Sequence, residues 1–250
     1  MPPRRYGLLA PMRPELRPLL RPLGLQPTDA SGALYAGKLG ALDVLAALSG
    51  IGTAAAARAT ERLLDAGAEH VLVVGIAGGI GTRVAIGDLV VPERVLDLDH
   101  GVSHRPAPLG EAHAWGTLAT SDRLIEDRDA IRRLEAQGVI AIDMETAAVA
   151  AACERRGRPW SVLRAISDRA DGGGADAAVL ALAGPDGSGD PVAVARFLLT
   201  RPWRIPQLVR LGRGMQRATR CAAAAALRAL EPASLEATVA GPARPRSPKR

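Results

Sequence analysis

The most informative stretch of this 250-residue chain is His70-Val-Leu-Val-Val-Gly-Ile-Ala-Gly-Gly79. Its first half is a continuous apolar run, typical of a strand that is buried on both faces of a parallel sheet. Its second half, 75–79, is rich in glycine, so its backbone N–H groups can approach a ligand closely. The same glycines would also suit a plain turn from a strand into a loop. The stretch predicts a buried strand and leaves open a ligand-binding loop at its end.

Strand and helix patterns alternate on both sides of this stretch. Alternation of this kind predicts an α/β fold, here a three-layer sandwich with a mostly parallel, twisted sheet flanked by helices. Ligands of such sheets bind outside the carboxyl ends of the strands, where Glu15, the glycine loop and Asp168 fall. The predicted strands cover 6–10, 34–37, 42–49, 70–74, 84–91 and 160–166, and the predicted helices cover 12–20, 54–66 with Thr53 as N-cap, and 144–156.

Composition narrows the class of protein. Hydrophobic residues make up 48% and charged residues 23% of the chain, which excludes a largely disordered protein. No apolar run approaches the roughly 20 residues that span a bilayer, and the N-terminus lacks the apolar core of a signal peptide. We therefore expect a cytoplasmic protein.

The positive charge is concentrated near the C-terminus. Residues 196–250 hold 12 Arg or Lys and 2 Asp or Glu, whereas the preceding 195 residues hold 20 and 24. We expect a single domain over 1–230 that ends in a basic amphipathic helix at about 204–230, and a disordered tail over 231–250. The Gly- and Asp-rich segment 171–191 is predicted to be a mobile loop.

Four acidic residues, at three places in the chain, are candidates for chemistry. Asp143 and Glu145 open a predicted helix, where acids commonly stabilise the helix dipole but where a carboxylate could also accept both hydroxyls of a sugar diol. Asp168 follows an apolar strand and could be an acid catalyst or an N-cap, and Glu15 could simply be a surface helix residue. The four histidines show no triad or metal-ligand spacing, and the glycine loop does not match a P-loop. No metal or organic cofactor is implied.

Taken together, these pieces resemble the nucleoside phosphorylase/nucleosidase superfamily. They are most similar to its 5′-methylthioadenosine/S-adenosylhomocysteine nucleosidase branch, over roughly residues 5–172. The matching motifs, in order, are Gly7-Leu-Leu-Ala-Pro-Met-Arg-Pro-Glu15-Leu16, Ser49-Gly-Ile-Gly-Thr53, Gly75-Ile-Ala-Gly-Gly79 with Gly87-Asp-Leu-Val-Val91, Ala141-Ile-Asp-Met-Glu145-Thr-Ala-Ala-Val-Ala150, and Arg164-Ala-Ile-Ser-Asp168-Arg-Ala-Asp171.

The resemblance implies roles for the matching residues. Asp168 would protonate N7 of the departing purine, oriented by Ser167, and Glu15 would position or deprotonate the attacking water. Glu145 would bind the ribose hydroxyls, with Met144 packed on the sugar. The backbone near Ala77 and Gly78 would line the nucleophile side. The family also implies at least a homodimer.

Two positions depart from the family pattern. Ile76 stands where the family has serine, which removes a hydroxyl near the sugar or the nucleophile. The aromatic residue that stacks on adenine would align near Leu124, with Ile125 beside it, so the base pocket loses a ring. These changes leave open which 5′-substituted adenosine is the substrate.

Water and phosphate both remain possible nucleophiles. Phosphate-using members of the superfamily place an arginine shortly before the glycine loop, and residues 70–74 contain none. Glu15 would also repel phosphate, which favours hydrolysis. Arg13 and Arg83 are nearby cations that keep phosphorolysis open.

The C-terminal segment adds further alternatives. Arg210, Arg213, Arg217 and Arg220 share one helix face, which is either a solvated face or a contact for an anionic membrane surface. The segment resembles the tail of hopanoid-associated phosphorylases, which implies an enzyme that acts on an adenosyl-lipid. A non-catalytic nucleoside-binding module is a further alternative. Specific nucleic-acid binding is not expected, because the main domain is acidic and aromatic residues are scarce.

Overall fold

A computed structural model of the chain describes residues 5–170 except 29, 31 and 111, residues 176–180, 182 and 184, and residues 191–231. The predicted tail over 232–250 and most of the predicted mobile loop over 171–191 lie outside the described residues. The strands are β1 (Arg5–Ala10), β2 (Gln26–Pro27), β3 (Leu34–Leu39), β4 (Leu42–Leu48), β5 (His70–Gly79), β6 (Leu89–Val90), β7 (Arg94–Asp97), β8 (Ser103–His104), β9 (Thr117–Thr120), β10 (Val139–Asp143) and β11 (Trp160–Arg169). The helices are α1 (Arg13–Leu20), α2 (Thr53–Asp65), α3 (Arg128–Ala136), α4 (Thr146–Arg155), α5 (Ala177–Leu180), α6 (Pro191–Thr200) and α7 (Ile205–Ala229), with a 3₁₀ turn at Pro202–Arg204.

All of these strands form one mixed sheet. Its order is β2-β3-β4-β1-β5-β10-β9-β7-β8, and β11 pairs with both β5 and β6. The parallel pairings lie in two groups, β4-β1-β5-β11 and β10-β9-β7. Antiparallel pairings lie at the sheet margins and where β10 meets β5. The predicted α/β sandwich is confirmed, with the sheet mixed rather than purely parallel.

The central strand β5 has three partners, which positions the site. It pairs with β11 from Val71 to Gly79 along one edge. On its other edge β1 pairs only as far as Val73, and β10 pairs only at Gly78 and Gly79. Residues 74–77 therefore lie between two strand partners, where backbone groups of β5 can bond to side chains instead.

Alternation along the strands buries both faces of the sheet. Leu8 and Leu72 pack in a cluster with α1 and α7, whereas their neighbours Leu9 and Val71 pack in a second cluster with α2 and α4. A period of two with apolar residues on both faces is what a three-layer sandwich requires. A third, smaller cluster packs α3 at the far end of the sheet.

Two local predictions are wrong. The strand predicted over 84–91 shrinks to Leu89–Val90, because the Ala85 N–H bonds to the Asp88 carboxylate at 2.8 Å and Gly87 has φ +97, which makes a turn. Thr53 is the first residue of α2 rather than its N-cap, which is Gly52. The Thr53 hydroxyl instead donates to Asp122 Oδ1 at 2.7 Å. Both errors arise from contacts that a helix or strand pattern does not encode.

The helix predicted near the C-terminus begins at Ile205 and ends at Ala229. Its Ala-rich half packs on the sheet through side chains that include Ala218, Ala222 and Ala226. The four arginines predicted to share a face are all exposed. No helix in the described part of the chain is both long and apolar enough to cross a membrane.

Candidate active site

A cavity of about 430 Å³ opens beside the glycine-rich end of β5, on the edge that β5 shares with β1 and β10. All ten residues selected from the sequence line it: Glu15, Ile76, Ala77, Gly78, Leu124, Ile125, Met144, Glu145, Ser167 and Asp168. They come from the ends of β10 and β11, the glycine-rich half of β5, the start of α1 and the loop before α3. The chain therefore brings together positions that are far apart in the sequence, while their chemical roles stay predictions.

Glu15 is held by backbone donors rather than by solvent. It is 2% exposed, its Oε2 accepts the Met12 N–H at 2.7 Å, and its Oε1 accepts the Ile76 N–H at 2.8 Å. The first bond closes the N-terminus of α1, and the second satisfies β5 in the interval without a strand partner. Burial raises the pKa of Glu15 to about 7, although Arg164 and the two backbone bonds oppose this. A carboxyl group with such a pKa can exchange a proton near neutral pH.

Gly75 permits the close approach of Glu15 to β5. A Cβ at this position would lie 2.2 Å from Glu15 Oε1 and 2.6 Å from Arg164 Nη1. Any side chain would therefore displace the carboxylate or the guanidinium. The sequence left open a ligand-binding loop at residues 75–79. In the structure Gly75 lies within β5, and its lack of a side chain makes room for Glu15 and Arg164.

Arg164 is the organising cation of the site. It is 0% exposed, and its Nη2 lies 2.7 Å from Asp143 Oδ2 and 3.0 Å from Glu145 Oε2. Its Nη1 lies 3.7 Å from Glu15 Oε1. A buried charge is retained only with close partners, and this one is shared by three carboxylates.

Glu145 and Asp143 use this arginine differently. Glu145 Oε1 accepts the Gly52 N–H at 3.1 Å, and burial raises the pKa of Glu145 to about 7 against the opposing charge of Arg164. Asp143 instead accepts the Thr120 hydroxyl at 2.7 Å, the Thr146 N–H at 3.3 Å and the Arg164 Nε at 2.9 Å. Asp143 thus fixes the start of α4, while Glu145 faces the cavity.

Ser167 and Asp168 form a second polar pair across the cavity. The Ser167 hydroxyl lies 2.5 Å from Asp168 Oδ1 and 3.3 Å from the Ala77 carbonyl. Both residues follow Ile166, where the register between β11 and β5 shifts. That irregularity turns consecutive side chains toward the cavity instead of to opposite faces.

The cavity wall at the two positions predicted to face the base is aliphatic. Leu124 and Ile125 lie there, and no aromatic side chain is among the described lining residues. Arg123, Arg128 and Arg169 also line the cavity. The two cations considered for phosphate, Arg13 and Arg83, do not line it. Arg13 borders a separate groove, and Arg83 lies 5.4 Å from the Trp115 ring centroid.

Besides the three lining arginines, sequence reasoning missed two further contributors to the site. Arg164 appeared only within a motif, although an arginine inside the apolar run 160–166 signals a buried cation that needs carboxylate partners. The wall formed by Gln207, Leu211 and Met215 of α7 was also missed. No sequence signal identifies this wall, because a helix face that lines a cavity has the same residue pattern as a helix face that packs in a core.

The family model described as the phosphorylase superfamily matches residues 5–114 and 108–184. The chain belongs to this superfamily. This membership confirms the resemblance that the motifs indicated. The protein is therefore an enzyme that cleaves N-glycosidic bonds.

Two curated relatives are 28–30% identical to the chain over the residues that align. A 5'-methylthioadenosine/S-adenosylhomocysteine nucleosidase of Shewanella frigidimarina (strain NCIMB 400) is 30% identical over 67% of this chain and 87% of its own length. A protein of the same name from Haemophilus influenzae (strain PittGG) is 28% identical over the same shares.

Solved structures of superfamily members share the fold. The nucleosidase of Neisseria meningitidis, in complex with methylthio-immucillin-A, has a TM-score of 0.67 and 20% identity over 90% of this chain and 97% of its own. The futalosine hydrolase of Helicobacter pylori strain 26695 has a TM-score of 0.66 and 20% identity over 88% and 94%. At these identities the likeness concerns the fold alone.

The described residues contain no group of three or more His, Cys, Asp or Glu side chains placed to hold a metal ion. The cavity carboxylates bond instead to Arg164 and to backbone N–H groups. The absence of a cofactor and the oligomeric state stay predictions for this superfamily member.

Proposed function

We propose that this protein hydrolyses the N-glycosidic bond of an adenine nucleoside that carries a 5′ substituent, such as methylthioadenosine or S-adenosylhomocysteine. One observation carries the proposal: Glu15, Glu145 and Asp168 line a single cavity. The names of the curated relatives support the same reaction class.

Splitting the C1′–N9 bond builds positive charge on the sugar and negative charge on the base. In the proposed reaction Asp168 gives its proton to N7 of the purine, so the base leaves neutral. The Ser167 hydroxyl, 2.5 Å from Asp168 Oδ1, fixes the plane of that carboxyl group. Proton transfer by a positioned acid contributes about 10²–10⁴-fold to a rate.

The sugar side is assigned to two carboxylates. Glu145 accepts hydrogen bonds from the ribose hydroxyls. Its own hydrogen bonds from the Gly52 N–H and the Arg164 guanidinium hold its carboxylate in a fixed position for this role. Glu15 accepts a proton from water as the water oxygen bonds to C1′. Both negative groups also stabilise the positive charge that develops on the ring.

The direct test is the release of adenine from a panel of methylthioadenosine, S-adenosylhomocysteine, futalosine and adenosine. We expect Asp168→Asn to lower kcat by about 10²–10⁴-fold, because the leaving base then gains no proton. Asp65→Asn makes the same chemical change on the exposed face of α2 and should retain normal activity. A near-normal kcat in the Asp168→Asn variant would show that Asp168 is not the acid of the reaction.

A second measurement identifies the nucleophile. The sugar product is analysed with and without inorganic phosphate, where ribose indicates hydrolysis and ribose 1-phosphate indicates phosphorolysis. We expect ribose in both cases, since a carboxylate at Glu15 repels phosphate. The alternative drawn from the hopanoid-associated phosphorylases stays a prediction that this assay also addresses.

A further inference from the structure

The segment that joins α6 to α7 exposes an unusual amount of apolar surface. Leu199 is 85% exposed, Val192 75% and Trp203 71%, and Ile205 and Val209 are each 45% exposed. We call these five residues the apolar tip. Single exposed apolar side chains are normal on protein surfaces, but five of them within 18 residues, with a tryptophan among them, favour an interaction site.

The tip is surrounded by positive charge. Residues 191–230 contain eight arginines and no acidic residue. At 100° per residue, Arg213 and Arg220 fall within an arc of about 80° that also holds Ile205 and Val209. On this face of α7 the apolar tip is therefore followed by Arg213 and Arg220, which we call the arginine stripe.

A groove beside this stripe is also cationic. It lies between α1 and α7, and no carboxylate is among its described lining residues. Its positive side chains are Arg13, Arg17, Arg21 and Arg220. The basic face thus extends over two packed helices.

We propose that the apolar tip and the basic face together bind the surface of an anionic lipid bilayer. Tryptophan and aliphatic side chains insert at the boundary of headgroups and acyl chains, while the arginines contact lipid phosphates. A nucleic acid would satisfy the arginines but would give Leu199 and Val192 no favourable environment. A twofold contact with a second copy would bring the same arginines against each other, which is unfavourable.

This orientation has a consequence for the cavity. Gln207, Leu211 and Met215 on the inner side of α7 line the candidate active site. That wall would lie about one helix diameter, roughly 10 Å, from the lipid headgroups. Membrane binding itself does not depend on the proposed function.

The test is co-sedimentation of the full-length protein with vesicles of phosphatidylglycerol or of phosphatidylcholine, at low and high salt. We expect binding to the anionic vesicles, a loss of binding at high salt, and little binding to the zwitterionic ones. Emission from Trp203 should shift to the blue on binding, since Trp160 is already buried and Trp115 lies against Arg83, outside the proposed surface. Trp203→Ser should remove that shift.

Variants separate the two parts of the surface. Leu199→Ser with Trp203→Ser changes exposed side chains only and should abolish sedimentation. Arg213→Gln with Arg220→Gln should weaken binding about 25-fold, at about five-fold for each arginine near the lipid surface. Arg58→Gln with Arg62→Gln makes the same charge change on exposed positions of α2, across the sheet, and should leave binding unchanged.

Three results would overturn the proposal. The first is the absence of salt-sensitive binding to phosphatidylglycerol. The second is equal weakening by the α2 control pair, which would indicate net charge rather than this surface. The third is a dimer in light scattering that dissociates in the Leu199→Ser, Trp203→Ser variant and does not bind vesicles, which would assign the tip to a second copy.

Discussion

At the scale of single residues, Arg164 is the group on which the site geometry depends. One fully buried cation lies among Glu15, Asp143 and Glu145. These acids could be selected from the sequence, because acids at strand ends and helix starts are recognisable locally. Their common partner could not be, since its contacts join β11 to α1 and β10.

Replacing this cation should be costly. We expect Arg164→Met to lower the free energy of unfolding by about 3–5 kcal/mol at pH 8, because three buried carboxylates lose their counter-charge. The loss should shrink at pH 5, where the raised pKa values let Glu15 and Glu145 become neutral. Urea unfolding at the two pH values measures this. Arg156→Met, which removes only exposed ion pairs to α2, should cost less than about 1 kcal/mol.

The raised pKa of Glu15 predicts a pH dependence of the reaction. If Glu15 accepts the proton of water, kcat should rise as the pH increases through about 7. Glu15→Gln should lower kcat by about 10²–10⁴-fold and abolish this rise. Glu145→Gln should mainly raise KM and keep the rise. If the rise of kcat with pH persists in the Glu15→Gln variant but vanishes in the Glu145→Gln variant, Glu145 rather than Glu15 accepts the proton of water.

At the scale of elements, α7 approaches β11 closely because of one glycine. A Cβ on Gly214 would lie 2.1 Å from the Ser167 carbonyl oxygen, whereas a Cβ on Gly212 would meet nothing within 4 Å. Both glycines look alike in the sequence, where each only weakens a helix pattern. The contact that distinguishes them belongs to the packing of α7 on the sheet.

These two glycines provide a matched pair of variants. Gly212→Ala should stabilise the protein by about 0.5–1 kcal/mol, because alanine favours the helix and nothing obstructs it. Gly214→Ala should destabilise it by about 1–3 kcal/mol and reduce kcat, since α7 must move away from Ser167 and Asp168. Thermal unfolding and adenine release measure both effects. Equal stability of the two variants would show that α7 does not contact β11 at this point.

At the scale of the whole molecule, buried titratable groups determine where stability is greatest. The folded state keeps protons on Glu15 and Glu145 between pH 4.5 and about 7, so their contribution to stability is lost as the pH rises through this range. Burial lowers the pKa of His70 to about 4, so its contribution is lost as the pH falls from 6.5 toward 4. Above pH 4.5 the two carboxyl groups outweigh the one imidazole, so these three groups place the maximum near pH 4.5.

Removing the two acids should move that maximum. We expect the variant with Glu15→Gln and Glu145→Gln to be most stable above pH 6.5, where only the effect of His70 remains among these three groups. The gain over the wild type at pH 8 should be on the order of 1–3 kcal/mol per group. Denaturant unfolding from pH 4 to 9 gives the full curve. A maximum that does not move would mean that neither carboxyl group keeps its proton in the folded state.

The sequence by itself determined the α/β class, the helices α1, α2, α4 and α7, five of the eleven strands, and Glu15, Glu145 and Asp168 as candidates. Those features are local: hydrophobic period, turn chemistry and spacing act between residues close in the chain. Only the tertiary structure decided that β10 meets β5 in the opposite direction, that Arg164 joins three carboxylates, and that α7 closes the cavity. Those arrangements depend on contacts between distant segments, whose relative placement is fixed by packing on both faces of the sheet.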